Sequence, residues 1–269
     1  MEDLVAYFDG KFIKTSQIAI PAENLGFTRG YGAYECFRTY QREPFRLDDH
    51  LERLQNTCAS LLIEYPHEDL KSIVDQLIKE NPEDELIFRL YVTDALDEKP
   101  YQLVILCNTP ASFEKTNPLG PLSLKTFIDK RESRGIKSTA YGYTMVSTKR
   151  AEALGFDTIL LVGETGNIHE LAKANFFTVK GNTLYTPKEN LLFGITRKTI
   201  LEIAKDYGYE VVEGNISLDS LKEMDEVFSC ATIRGIVPIK KIDEMDFFSH
   251  KHAERLQTYF QNLSEQTCV

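Results

Sequence analysis

Hydrophobic and polar positions in the first half of the chain alternate between helical and strand-like patterns. Apolar residues recur every three or four positions over 48–62 and over 67–79, and this spacing predicts two amphipathic helices. Short runs rich in β-branched and aromatic residues predict strands. The predicted strands cover 5–8, 11–13, 86–93 and 102–108, with a turn at Asp9-Gly10 between the first two.

The second half of the chain also mixes strands and helices. The segment 166–186 predicts strand, a turn at Gly181-Asn182, and strand again. Thr196 is the predicted N-cap of a helix that ends at Gly208. Further predicted elements are a short helix at 149–154, strands at 158–162 and 210–212, and a closing helix at 250–263. This order of elements indicates an α+β fold.

A segment rich in proline separates the two halves. Residues 109–121 contain three prolines and a glycine, a composition typical of a loop. We therefore predict a linker at 110–121. A chain of 269 residues is long enough for two domains with their own cores. The predicted domains are 1–115, the smaller N-terminal domain, and 116–269, the larger C-terminal domain.

Composition narrows the class of protein and the partners to expect. The formal charge of −10 argues against nucleic acid as a partner, because its phosphates would be repelled. The acidic N-terminus does not resemble a signal peptide, and the sequence lacks an apolar run long enough for a bilayer. The five cysteines are odd in number and scattered, which indicates reduced thiols and no metal site. We expect a cytoplasmic enzyme.

A predicted helix start and two charged residues are candidates for cofactor chemistry. The first N–H groups of the helix near Ile195 and Thr196 would hold a phosphate dianion. Pyridoxal phosphate also requires an amine for its aldehyde and an acidic partner for its ring nitrogen, and Lys137 and Glu170 are the candidates. Alternatively, Lys137 is a solvated loop lysine and Glu170 a strand carboxylate facing water. The competing lysine is Lys149, whose neighbours indicate a helix surface.

Several short motifs follow one another along nearly the whole chain. They are Gly30–Arg38, His50–Leu54, Gly135–Ser138, Glu170, Gly194–Arg197 and Asp225–Thr232. One such motif alone would be weak, because patterns of four letters arise by chance. In this order they resemble the signatures of the class IV aminotransferases, the fold-type IV pyridoxal phosphate enzymes. That family contains branched-chain aminotransferases, D-amino acid aminotransferases and aminodeoxychorismate lyases.

The resemblance implies a fold, a cofactor and a set of cofactor contacts. The implied fold has two domains, a smaller N-terminal α/β sandwich and a larger C-terminal β-barrel-like domain with helices. The implied cofactor is pyridoxal 5'-phosphate, joined to Lys137 as an aldimine, and the implied assembly is a homodimer. The cofactor-binding residues that the resemblance implies are Arg53, Lys137, Glu170, Ile195, Thr196 and Thr232. Arg53 could otherwise form a surface ion pair, and Thr232 could be an ordinary strand hydroxyl.

The substrate side of the site is less defined by the motifs. We predict that Arg29, Tyr34 and Arg89 contact the substrate, with Arg29 or Arg89 binding a carboxylate. Surface or core-rim positions for the two arginines are the alternative. Tyr141 and Tyr143 are both candidates for the phenolic oxygen of the cofactor.

Two activities share the implied residues. The first is transamination between an amino acid and a 2-oxo acid. The alternative is 4-amino-4-deoxychorismate lyase chemistry, which releases pyruvate and 4-aminobenzoate. A third hypothesis, a binding protein of the same fold without cofactor, is disfavoured because none of the expected chemical positions is replaced.

Overall fold

Fifteen strands and seven α-helices occupy the part of the chain that the structure, a computed structural model, describes: residues 3–95, 99–114 and 120–266. The chain divides into two compact units. The first unit contains the described residues of Met1–Asn117 together with Ile136–Tyr141. The second unit contains the described residues of Pro118–Gly135 together with Gly142–Gln266.

The α-helices are α1 Leu25–Arg29, α2 Leu47–Leu61, α3 Leu70–Glu80, α4 Pro110–Glu114, α5 Gly142–Ala153, α6 Ile195–Asp206 and α7 Lys251–Gln266, and two 3₁₀ helices lie at Thr15–Gln17 and Asp219–Glu223. The strands are β1 Val5–Phe8, β2 Lys11–Lys14, β3 Gly32–Tyr40, β4 Glu43–Pro44, β5 Ile87–Thr93, β6 Gln102–Asn108, β7 Leu122–Ile128, β8 Thr158–Val162, β9 Ile168–Leu171, β10 Asn175–Lys180, β11 Thr183–Thr186, β12 Glu210–Glu213, β13 Glu226–Ala231, β14 Gly235–Ile242 and β15 Met245–Asp246.

The first unit is a six-stranded sheet covered by helices α2 and α3. Its strand order is β2-β1-β6-β5-β3-β4, and each neighbouring pair is antiparallel. Phe37 of β3 and Phe88 of β5 stack at 4.9 Å and pack with Leu54 of α2 and Leu77 of α3. Burying each such side chain contributes about 1.5–3 kcal/mol. Because side chains alternate along a strand, the residues next to Phe37 on β3 point to the opposite face of the sheet.

The second unit is built on a nine-stranded mixed sheet. Its order is β12-β11-β10-β13-β14-β7-β8-β9, with β15 paired to β14. The pairs β11/β12, β14/β7 and β7/β8 are parallel. Helix α6 connects the parallel strands β11 and β12. The buried carboxylate of Glu226 accepts hydrogen bonds from the first backbone N–H groups of α7, including Ala253 N at 2.6 Å, and so fixes this helix on the sheet.

The long periodic segments have the predicted structure. The predicted strands 5–8, 11–13, 86–93, 102–108, 158–162 and 210–212 correspond to β1, β2, β5, β6, β8 and β12. Helix α2 is one residue earlier than predicted, and α3 begins at Leu70 because the side chain of Asp69 caps it. The segment 166–186 contains an additional strand, since β9 and β10 are separate.

Two predicted helix boundaries are wrong. Thr196 is not the N-cap of α6, because the helix begins at Ile195 and Gly194 occupies the cap position with extended dihedral angles. The helix predicted at 149–154 is the last part of α5, which spans Gly142–Ala153. Its buried residues are Thr144, Ser147 and Ala151, so the apolar stripe that predicts a helix is missing from the sequence.

Part of the predicted linker has structure. Residues 110–114 form α4, while 115–119, where the predicted boundary between 115 and 116 falls, lie outside the described residues. The boundary stays a prediction. Four cysteines in the described part are free and buried, and Cys268 lies outside it. Within the same described ranges, no helix combines the length and the apolar character needed to span a membrane.

Candidate active site

A buried carboxylate, an arginine and a histidine form the first-unit cluster: Glu35, His50 and Arg53. Glu35 lies on β3 and faces α2, where His50 and Arg53 are one turn apart. Arg53 donates from Nε to Oε2 at 2.8 Å and from Nη2 to Oε1 at 2.7 Å. His50 Nδ1 donates to Oε1 at 3.1 Å. The arginine is therefore held by a bidentate pair and not by a surface ion pair.

Burial and charge fix the protonation of the first-unit cluster. Burial alone would raise the pKa of Glu35, but the attraction of Arg53 and His50 outweighs it and the pKa lies well below its usual range. Burial lowers the pKa of His50, although Glu35 acts in the opposite direction. Burial disfavours the charge of Arg53 too, yet Glu35 raises its pKa. The cluster is a carboxylate, a guanidinium and a neutral imidazole.

Lys137 is attached to the first unit through its backbone. Its carbonyl accepts a hydrogen bond from Tyr34 N at 2.9 Å, and the next residue, Ser138, pairs with Ala33 in an antiparallel bridge. The segment thus extends the sheet beside the start of β3. The Lys137 ammonium lies 5.0 Å from the centre of the Tyr34 ring, a cation–π contact. It also acts on the neighbouring thiol of Cys36, whose pKa burial raises and Lys137 lowers.

The predicted substrate residues of the first unit have three different surroundings. The ring of Tyr34 packs against that of Tyr91 on β5, tilted by 30° with the ring centres 5.1 Å apart, and burial raises the pKa of Tyr34. Arg89, also on β5, donates from Nε to Asn108 Oδ1 at 3.0 Å and faces the ring of Phe113. Arg29 is exposed at the end of α1 and donates to the carbonyl of Thr28 at 3.3 Å. The geometry therefore groups Arg89 with Tyr91 and Cys36 and leaves Arg29 at the surface.

The two candidate tyrosines lie in different units. Tyr143, on α5, donates a hydrogen bond from its hydroxyl to the carbonyl of Ile128 and packs beside Ala151. Tyr141 belongs to the first unit, where it acts electrostatically on Arg53 and on Tyr34. This placement favours Tyr141 over Tyr143 as the tyrosine associated with the predicted cofactor residues.

Glu170 belongs to a larger group of acidic and basic residues, which we call the second-unit cluster. Its members are Asp129, Arg131, Arg134, His169 and Glu170. The carboxylate of Glu170 accepts a hydrogen bond from Arg131 Nη1 at 2.8 Å. Its second oxygen accepts from the backbone N of Leu192 at 3.2 Å and from Asn175 Nδ2 at 3.3 Å. Glu170 is only 5% exposed, so it is not a strand carboxylate facing water.

Asp129 is the centre of the second-unit cluster. It lies directly after β7 with a fully buried carboxylate, which accepts from Arg131, from Arg134 and from His169 Nδ1. Burial alone would raise the pKa of Asp129, but the hydrogen bonds from Arg131 and His169 hold it far below its usual range. His169 is consequently a buried structural residue.

The start of α6 lies beside Glu170. Asn175 Nδ2, which bonds Glu170, also donates to the carbonyl of Leu192 at 2.7 Å. A Cβ at Gly194 would overlap Asn175 Oδ1, so the chain requires glycine there. The backbone N–H groups of Ile195 and Thr196 precede the first intrahelical hydrogen bond, from Lys198 N to the Gly194 carbonyl. The helix start is suited to an anion.

Thr232 and Lys149 lie at different kinds of position in the second unit. Thr232 lies in the turn between β13 and β14, half-buried. Lys149, the competing lysine, is exposed on α5. The predicted site residues therefore divide between the units: Arg29, Tyr34, Arg53, Arg89 and Lys137 in the first, and Glu170, Ile195, Thr196 and Thr232 in the second.

Sequence reasoning missed the partners of the predicted charges. Glu35 lies in the motif Gly30–Arg38 without a predicted role, and the sequence patterns predict no role for Asp129 or Arg131. The signal in the sequence is the segment 129–134 between a strand and Lys137, in which every residue except Ser133 is charged. Within the described ranges, no group of three or more His, Cys, Asp or Glu side chains could hold a metal ion.

Known proteins share both the sequence and the fold. The family model described as "Amino-transferase class IV" matches residues 32–242. An aminodeoxychorismate lyase of Bacillus subtilis is 29% identical over 262 residues, covering 90% of this chain and 88% of that protein. A D-alanine aminotransferase of Bacillus licheniformis is 29% identical over 249 residues, covering 88% and 87%.

A solved structure gives the same architecture. It is the branched-chain aminotransferase of the thermophilic archaeon Thermoproteus uzoniensis with norvaline, and its TM-score is 0.87. The match covers 98% of this chain and 95% of that chain at 23% identity. This confirms the predicted two-domain α+β fold of fold type IV. Because the family model covers most of the chain, the predicted enzyme class is confirmed as well, and the protein belongs to the class IV aminotransferase family.

Proposed function

We propose that the protein is a pyridoxal phosphate-dependent aminotransferase that moves an amino group between an amino acid and a 2-oxo acid. The observation that carries the proposal is the Glu170 carboxylate, buried in a sheet and fixed by donors on both oxygens. A buried anion of this kind is suited to a protonated ring nitrogen. Pyridoxal phosphate, when bound, supplies an aldehyde that combines with amines and a ring that accepts the electrons released at the substrate α-carbon.

We assign the phosphate of this cofactor to the start of α6, with Thr232 and Arg53 as the further candidates. The N–H groups of Ile195 and Thr196 carry the positive end of the helix dipole, and Gly194 lets the chain pass close to Asn175. Thr232 would add a hydroxyl donor. Arg53 would add a positive charge, and its bidentate contact with Glu35 holds the guanidinium in one orientation.

Lys137 is the residue to which we assign covalent attachment and proton transfer. Lys137 would hold the cofactor through its aldehyde, and its free amine would take the proton from the substrate α-carbon. The backbone pairing of 137–139 with β3 limits where the side chain can reach, and the Tyr34 ring gives the ammonium a fixed neighbour. Tyr141 is our candidate for the phenolic oxygen, as its position near Arg53 supports.

On the substrate side we favour Arg89 over Arg29. Arg89 lies on the sheet face that carries Tyr34 and Cys36, whereas Arg29 is exposed. A guanidinium among aromatic rings is suited to a substrate carboxylate. The lyase activity uses the same proton removal and remains the alternative product outcome, because one relative is named an aminodeoxychorismate lyase.

Reduction with sodium borohydride tests the attachment. We expect mass spectrometry of the reduced, digested holoprotein to find the pyridoxyl group on the peptide that contains Lys137. The Lys137→Ala variant should carry no such group, and Lys149→Ala, an exposed lysine on α5, should carry it as the wild type does. A pyridoxyl group on another lysine, or none in the wild type, would contradict the proposal.

A product assay separates the two activities. The purified holoprotein is incubated with single L- and D-amino acids and 2-oxoglutarate, and separately with aminodeoxychorismate. Formation of glutamate with turnover supports the aminotransferase. Release of 4-aminobenzoate and pyruvate without transamination would replace it by the lyase. A homodimer is part of the proposal, and light scattering on the eluted protein should give twice the chain mass of 30.8 kDa.

A further inference from the structure

Arg131 makes direct contact with the Glu170 carboxylate in the second-unit cluster. Arg131 Nη1 donates to Glu170 Oε1 at 2.8 Å, while Arg134 and His169 are bonded to Asp129. The side chain of Arg131 is 20% exposed and that of Glu170 is 6% exposed. The pair thus lies in a mostly dry region, where a charge–charge contact is stronger than at a surface.

Asp129 holds Arg131 in the orientation that this contact needs. Arg131 donates from Nε to Oδ1 at 2.9 Å and from Nη2 to Oδ2 at 2.8 Å, so two bonds fix one edge of the guanidinium. The backbone N of Arg131 also bonds Oδ1 at 3.0 Å. The third nitrogen, Nη1, is directed at Glu170 by the planarity of the group. A lysine could supply the charge but not this fork.

We infer that Asp129 and Arg131 are positioning residues that keep Glu170 ionised and thereby keep a proton on the ring nitrogen of the bound cofactor. The inference rests on the proposed function, because it requires that Glu170 faces that nitrogen. The proton shared by the two groups can reside on the nitrogen or on a Glu170 oxygen. In the second arrangement the carboxylate is neutral and its attraction to Arg131 is lost.

The sign of the effect follows from distance. Arg131 is in contact with Glu170, while the ring nitrogen would be held by that carboxylate and not by Arg131. The guanidinium therefore stabilises the anion more than it destabilises the protonated nitrogen. Replacing Arg131 by a neutral side chain should move the proton towards Glu170. The electron-accepting ring would then lack its charge.

The test is the nitrogen NMR resonance of the bound cofactor, with pyridoxal phosphate labelled by ¹⁵N in its ring. We expect a protonated ring nitrogen in the wild type and a shift towards the unprotonated position in Arg131→Met. Arg131→Lys should stay closer to the wild type, since it keeps the charge. Arg134→Met removes a cation that bonds Asp129 and should shift the resonance less than Arg131→Met. Arg131→Gln and Asp129→Asn serve if the methionine variant does not fold.

Kinetics provide a second readout. The kcat of Arg131→Met should fall about 10–100-fold, by analogy with the loss of residues that orient metal ligands. The KM for the amino donor should change little, because the loss concerns the reaction step. Cofactor-loaded variants of Arg131 with the wild-type resonance would overturn the inference, and so would an equal shift in Arg134→Met. A wild type that binds no pyridoxal phosphate would overturn the proposed function and this inference together.

Discussion

Both clusters are built on a buried carboxylate, but they differ in the charge of the outermost group. In the first-unit cluster the buried carboxylate is paired with a cation. In the second-unit cluster the cation paired with it also contacts another carboxylate. Glu35 is covered by Arg53 and His50. Asp129 is covered by Arg131, which in turn contacts Glu170. One added carboxylate changes the charge at the end of the cluster, which is positive in the first case and negative in the second.

The difference shows how a protein can place either charge at the end of a cluster without leaving a buried ion alone. A buried ion without a partner costs several kcal/mol, roughly, so each functional charge has its counter-ion behind it. The partner also fixes orientation, since both arginines bind a carboxylate through two nitrogens. The two proposed contacts thus use the same residue types. The phosphate contact uses an arginine backed by one carboxylate, and the ring-nitrogen contact uses a carboxylate backed by an arginine and a second carboxylate.

The largest effect on stability should come from the innermost anion of the first unit. Glu35→Gln leaves Arg53 and His50 in a buried region without their carboxylate, and we expect a loss of about 3–5 kcal/mol in the free energy of unfolding. Urea denaturation measures it. The matched control is Glu52→Gln, an exposed position on α2, which should change the value by less than about 0.5 kcal/mol. Equal losses would show that burial of the pair does not matter.

The corresponding change in the second unit should cost less. Asp129→Asn removes the central anion, but Arg131 keeps Glu170 and the two arginine side chains are 20% and 32% exposed. We expect a loss of about 3 kcal/mol at most. Asp246→Asn, an exposed position on β15, is the control. A loss larger than that of Glu35→Gln would reverse the comparison.

A larger side chain at Gly194 should test its contact with Asn175 in the second unit. Gly194→Ala places a methyl group on Asn175 Oδ1 and should destabilise the fold by about 2 kcal/mol. In an Asn175→Ala background the same substitution should cost less, because the two sites are in contact. Gly142→Ala at the start of α5, where a Cβ meets nothing within 4 Å, should be nearly neutral. Equal costs in both backgrounds would separate Gly194 from Asn175.

The smallest effect is a pH dependence that belongs to His50. Its pKa is lowered by burial from the usual 6.5, so the unfolded chain binds this proton more readily and stability decreases as pH falls below about 6.5. We expect His50→Gln to remove about 1 kcal/mol of the decrease between about pH 7 and pH 5. Glu35 and Asp129, whose pKa values are also lowered, contribute stability that is lost only below about pH 4. An unchanged profile in His50→Gln would contradict this assignment.

Many residues of the candidate site could be predicted from the sequence because they lie within short motifs. The order of motifs identifies the family, and Lys137, Glu170 and Arg53 stand at fixed places within them. The strands and helices with a strong period were predicted for the same reason. The prediction for helix α5 is too short, because small and polar residues fill the buried positions and leave no apolar pattern. The N-cap of α6 is Gly194 and not Thr196.

The sequence by itself determined the family, the alternation of elements and the chemical identity of the candidate residues, since these depend on local order and composition. Tertiary structure alone decided which charges meet. Arg53 and Glu35 are 18 residues apart, and Arg131 and Glu170 are 39 apart, on elements brought together by sheet register and helix packing. A pairing of that kind depends on the whole fold, because only burial in a common core makes it favourable.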